Sequence, residues 1–137
     1  GKSRDLANYK IHGYCKYMFK RAVSLPTAGT ETFFLWGPRQ TGKSTLLNER
    51  YPHELWIDLL KPEEYRHYVQ SPESLRQEIA ASSCRFVVID EVQRVPAILD
   101  EVHYLHESQG IRFALSGSSA RKVRRGQANL LGGRATR

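Results

Sequence analysis

The sequence predicts an α/β fold, a three-layer sandwich in which a mostly parallel sheet is covered by helices. Three observations carry this prediction. Phe33–Trp36, Phe86–Ile89 and Phe113–Leu115 are short apolar runs of the kind that form strands buried on both faces. Helical stretches separate them, and strands alternating with helices argue for parallel pairing through right-handed crossovers. A glycine-bearing loop, Gly37–Ser44, joins the first run directly to a helical stretch.

Residues 1–25 read as a basic N-terminal amphipathic helix or arm, with Tyr14, Tyr17, Met18 and Val23 on its buried side. Residues 26–137 then form the core domain. The first strand, Phe33–Trp36, is followed by a helix over Ser44–Arg50. Leu55–Leu60, interrupted by Asp58, is a weaker strand. Pro62 precedes Glu63 and Glu64, and Pro72 precedes Glu73. Proline followed by acid starts a helix, because proline needs no donor there and the acid meets the positive helix end. After the strand at Phe86–Ile89, Pro96 opens a helix with Ile98, Leu99, Val102 and Leu105 on one face, and Gly110 ends it. The last strand is Phe113–Leu115; residues 121–137 contain no further one.

Composition narrows the function classes. The 137 residues and 15.7 kDa suit one domain, 40% hydrophobic and 26% charged, which excludes wholesale disorder. No apolar run approaches the roughly 18 residues of a membrane span, and no signal-peptide pattern opens the chain. Gly1 in place of Met points to a processed chain or a fragment. Cys15 and Cys84 make neither a disulfide framework nor a zinc site, so reduced thiols in a cytoplasmic setting are expected. The net charge of +7 is concentrated at the ends. Lys2, Arg4, Lys10, Lys16, Lys20 and Arg21 face only Asp5, and Arg121, Lys122, Arg124, Arg125, Arg134 and Arg137 face no acid within 121–137. Basic ends are expected either to contact nucleic acid or another acidic partner, or to be solvated tails.

Gly37-Pro38-Arg39-Gln40-Thr41-Gly42-Lys43-Ser44 has the spacing of a phosphate-binding loop, with a strand before it and a helix, Thr45 onward, after it. Glycines turn successive amides inward to form a concave nest for an anion, and Gly42 allows close approach. The helix N-terminus adds free N–H groups and its dipole. Lys43 is expected to reach the β- and γ-phosphates, and the Ser44 hydroxyl to ligate Mg²⁺.

Arg85-Phe86-Val87-Val88-Ile89-Asp90-Glu91 ends a buried strand in two carboxylates. Ligands of open parallel sheets lie at the strands' C-terminal ends, so Asp90 is placed to hold the Mg²⁺ and Glu91 to orient or deprotonate the attacking water. This pair favours ATP hydrolysis over small-molecule kinase chemistry. Ser116, at another strand end, reads as a γ-phosphate sensor or as a helix cap, for which Ser118 is the better candidate. Arg121, Arg124 and Arg125 read as a solvated basic face or as donors to a neighbouring subunit's phosphate. Asp58 either approaches the site or is solvated. His103 and His106 lack a third metal ligand, and Trp36 and Trp56 are assigned to the core.

Four ordered blocks extend these signals: Trp36–Ser44, Val88–Pro96, Ser116–Lys122 and Asn129–Ala135. Together they resemble the predicted prokaryotic AAA+-type P-loop ATPases, which often carry a C-terminal nuclease-like domain. The resemblance covers roughly residues 30–135. It implies a P-loop NTPase fold and ATP as the nucleotide, with Lys43 and Ser44 in the phosphate-loop roles and Asp90 and Glu91 in the metal and water roles. Ser116 then occupies the sensor position, where similar sequences more often carry threonine. The resemblance also implies a fifth core strand beside the phosphate-loop strand, absent after 121, so the sheet is expected to be truncated. It leaves the phosphate-loop strand at an exposed edge unless residues 1–25 cover it. A nucleic-acid-binding module, and a nucleotide-switched protein-interaction module that self-associates or holds a protein partner, remain the alternatives.

Overall fold

Strands that are apolar at every position need cover on both faces, and two separate cores provide it. The computed structural model describes residues 9–11, 14–20, 24–38 and 42–118. Its strands are β1 (Tyr9–Ile11), β2 (Tyr14–Met18), β3 (Phe33–Gly37), β4 (Leu55–Asp58), β5 (Phe86–Asp90) and β6 (Arg112–Ser118). Its helices are α1 (Lys43–Arg50), α2 (Pro62–Gln70), α3 (Ser74–Ser82) and α4 (Ala97–Gln109), with a 3-10 turn at Val92–Arg94. The strands lie in the order β1-β2-β3-β6-β5-β4. All neighbours are parallel except β1 and β2, which are antiparallel.

The two-residue period of a strand splits each run between the faces. Phe34, Val87, Ile89, Phe113 and Leu115 pack with Tyr68, Leu75, Ile79, Ile98, Val102 and Leu105 from α2, α3 and α4. Phe33, Leu35, Phe86, Val88 and Ala114 pack with Leu47 of α1, Leu25 and Tyr51. The predicted α/β three-layer architecture is therefore the one observed, with α1 alone on the second face among the described helices. Pro62 starts α2 with Glu63 and Glu64 in its first turn, and α4 runs from a Pro96 cap to Gly110, whose φ of 71° suits only glycine comfortably.

The N-terminal expectation needs correction. Residues 9–11 and 14–18 form strands rather than a helix, and β2 pairs in parallel with β3. Tyr14, Tyr17 and Met18 satisfy a helical spacing, but in a strand Tyr14 and Tyr17 point to opposite faces. Both faces are covered here: Tyr14 joins the first core and Tyr17 packs against the second. β3 is consequently flanked on both sides, by β2 and β6, and is not an edge. Val23 lies outside the described residues.

A polar cluster ties β6 and α4 together far from the strands' C-terminal ends. Thr32 Oγ1 accepts from the Phe113 amide at 3.0 Å and donates to His106 Nδ1 at 2.9 Å, to which Arg112 also donates at 3.3 Å. Tyr14 OH bonds His103 Nδ1 at 3.2 Å. Among the described residues, no helix is long and apolar enough to cross a membrane.

Candidate functional site

Parallel pairing brings the C-terminal ends of β3, β6 and β5 to one rim of the sheet, with β6 in the middle. Side-chain alternation then does the selecting. Asp90, Ser116 and Ser118 follow Val88 and Ala114 at spacings of two, so they point to the face that carries α1.

The loop enters α1 through Gly42, whose φ of 106° and ψ of 8° put it in a conformation costly for any residue with a Cβ. Gly37 is constrained differently: a Cβ there would lie 2.8 Å from Phe19 Cβ and 3.3 Å from Lys43 Cδ. Phe19, just beyond β2, reaches from Gly37 to Gly42, and its ring tip is in van der Waals range of a Cβ built at Gly42. The N-terminal hairpin thus supplies one wall of the loop. Lys43 is only 4% exposed. Its ammonium donates to the carbonyls of Gly37 at 3.2 Å and Pro38 at 2.7 Å, which holds the positive charge against the loop.

Across the rim, Ser44 Oγ donates to Asp90 Oδ2 at 2.6 Å. Asp90 Oδ1 accepts from the fully buried Ser116 hydroxyl, whose oxygen in turn accepts from the Glu91 amide at 3.1 Å. Both oxygens of Glu91 lie within bonding range of Ser118 Oγ, at 3.0 and 2.8 Å, and Gln93 Nε2 donates to Oε1 at 2.7 Å. Asp90 and Glu91 are 3% and 4% exposed. Two buried carboxylates are tolerable only because each is met by charge-assisted donors.

The structure brings Gly37, Pro38, Gly42, Lys43, Ser44, Asp90, Glu91 and Ser116 to one rim. Thr45 is exposed on the first turn of α1. Arg39, Gln40, Thr41, Arg121, Arg124 and Arg125, together with both basic termini beyond the described segments, lie outside the described residues. Asp58 does approach the site, standing beside Asp90 on the adjacent strand β4, but its Oδ1 accepts from the Leu60 amide at 3.0 Å and closes the turn after β4. Ser118 is the last residue of β6 and its hydroxyl donates to Glu91; the helix it was expected to cap falls on residues outside the described ones.

Gln93 and Gly117 escaped the sequence reading, although one signal was present. Ser116-Gly117-Ser118 places two hydroxyls two residues apart, hence on one face of a strand. A Cβ at Gly117 would run into the Trp36 ring and come within 2.8 Å of Gln93 Oε1. Gln93 Oε1 and Trp36 Nε1 are buried with no hydrogen-bond partner among the described residues. Such a group costs about 1–3 kcal/mol, so the Gln93 amide is oriented by Glu91 rather than by its own oxygen.

Among the described residues, no group of three or more His, Cys, Asp or Glu side chains is arranged to hold a metal. The donors that do converge, Ser44 Oγ and Asp90 Oδ2, are hard oxygens of the type that Mg²⁺ accepts in ones and twos. No match was found among curated proteins or among solved structures. A family model described as an AAA domain matches residues 30–137. Since that span takes in β3 through β6, and with them each carboxylate, hydroxyl and ammonium placed at the rim, the chain belongs to the AAA domain family and is a nucleotide-binding, ATPase-like domain with a P-loop NTPase-like fold.

Proposed function

We propose that this domain, residues 26–137, binds ATP with Mg²⁺ and hydrolyses it to ADP and phosphate. The observation that carries the reading is the 2.6 Å bond between Ser44 and Asp90. These residues are 46 apart in sequence, and one follows the loop lysine while the other ends β5, with β6 between that strand and β3. Their oxygens converge as they must to share one hard cation.

The roles follow from the chemistry of each group. Loop amides from Gly37 to Thr45 and the α1 N-terminus cradle the phosphates. Lys43 supports the β- and γ-phosphate charge, exchanging its two carbonyl partners for phosphate oxygens of higher charge. Ser44 and Asp90 would hold the metal, which would supply neutralisation of charge on the phosphate oxygens. Glu91 takes the proton of the attacking water at its carboxylate, a role worth about 10²- to 10⁴-fold. Ser116 keeps Asp90 and the Glu91 amide in fixed relation. Two free cysteines, Cys15 and Cys84, support a reducing, cytoplasmic setting.

The test is a titration of fluorescent ATP with Mg²⁺ into the chain and into Lys43→Ala, with phosphate release followed in parallel. Saturable binding and slow phosphate release are expected from the parent and neither from the variant. Equal binding by both proteins would remove the phosphate loop from the reading. The six cations and no acid within 121–137 favour a second role for that segment, in contact with a polyanion such as nucleic acid. Such binding must weaken steeply as salt rises, and no binding at low salt would eliminate it.

A further inference from the structure

We propose that Ser118 and Gln93 are positioning residues that hold the Glu91 carboxylate on the attacking water; the inference rests on the reading of Glu91 as the group that takes the water's proton. The first support is geometric. Glu91 is gripped from two elements at once, by Ser118 at the end of β6 and by Gln93 in the 3-10 turn after β5. At 4% exposure there is little solvent to hold the carboxylate instead.

The second support is the backbone. Glu91 sits at φ 60° and ψ 49°, a left-handed conformation that few non-glycine residues adopt. Surrounding structure must over-determine such a residue for it to persist. Here the Ser116 hydroxyl fixes its amide, and Ser118 and Gln93 fix its carboxylate.

The third is the arithmetic of lone pairs. An ionised carboxylate offers about four acceptor sites. Gln93 uses one on Oε1, and the single Ser118 proton is shared between the two oxygens. Sites remain on the carboxylate for a water proton, so the clamp orients the group without saturating it. Gly117 admits the clamp, because a side chain there would displace Gln93 and Trp36.

The experiment compares the full chain with Ser118→Ala and Gln93→Leu, each also made in a Glu91→Gln background. ATP turnover is measured together with the dissociation constant for fluorescent ATP and Mg²⁺. Gln93 is half-buried and Ser118 fully buried, so the glutamine variant carries the test if the serine variant does not fold. The expected result is a fall in kcat of about 10- to 100-fold from misplacing the base, an unchanged dissociation constant, and no further fall when Glu91 is already Gln. Turnover equal to the parent's, or an equal loss in both backgrounds, would overturn the proposal while leaving Glu91 as the base. An inactive parent, or a Glu91→Gln variant as active as the parent, would overturn the reading of Glu91 and this proposal with it.

Discussion

Gly117 shows how much a single missing side chain can control. A methyl group there meets the Trp36 ring and the Gln93 amide, both already confined. Gly117→Ala is therefore expected to destabilise the fold by about 1–3 kcal/mol through overpacking, measured by urea unfolding; a variant as stable as the parent would show that Trp36 has room to move. Asp90 carries the opposite kind of constraint, with two hydroxyls aimed at its carboxylate. Asp90→Ala should abolish Mg²⁺-dependent nucleotide binding, and affinity retained in calorimetry would contradict its assigned role. That Lys43 and Ser44 share a rim with Asp90 and Glu91 was legible in the sequence, because both pairs lie at or just past the end of a strand of one parallel sheet. Ser118 was not, because its partner is 27 residues away. Only the placement of β6 beside β5 makes the two meet.

Among the elements, α4 was read most accurately, since Ile98, Val102 and Leu105 repeat at helical spacing and all three are buried. Proline and glycine also mark its ends. Ile98→Ala is expected to cost about 2–5 kcal/mol, because Ile98 is fully buried against the sheet and the cavity can collapse only in part. A thermal melt within error of the parent's would show that the face is looser than its burial implies. The Arg76–Glu101 ion pair between α3 and α4, at 2.8 Å, is partly solvated and adds little beside this apolar contact. The N-terminal hairpin was the element that could not be read. Its tyrosine spacing fits a helix and a strand alike, and the choice is made by β3, which lies beyond an intervening loop. Local periodicity contains no information about a neighbour of that kind.

For the molecule as a whole, pH limits follow from buried phenols and one imidazole. Burial, reinforced by nearby acids, pushes Tyr14, Tyr17 and Tyr68 from 10.0 up to about 12. Between those values the folded state keeps protons that the unfolded chain has released. Their stabilising effect is thus complete below pH 10 and is lost as pH rises toward 12. The melting temperature should fall through that interval together with the growth of tyrosinate absorbance; a flat melting temperature would show the phenols to be solvated. At the acid end, burial and the Arg112 charge hold His106 below its ordinary 6.5. Its Nδ1 is already an acceptor for Thr32 and Arg112, so protonation there opposes the fold. Stability from this residue is present above 6.5 and declines below it as the unfolded chain takes up protons first.

The sheet order also sets a sequence of events in time. β6 is the last described strand to be synthesised, yet it lies between β3 and β5. Its Phe113 amide bonds a threonine made 81 residues earlier. A growing chain therefore carries Lys43, Ser44, Asp90 and Glu91 well before anything aligns them. Closing so long a loop is slow compared with forming α4 or the β1–β2 hairpin. Nascent chains ending before Arg112 should not retain ATP, whereas release of Ser118 should switch retention on within a few residues of translation. The central strand thus acts as a timer, keeping the nucleotide site open during synthesis until the sheet that supports it is complete.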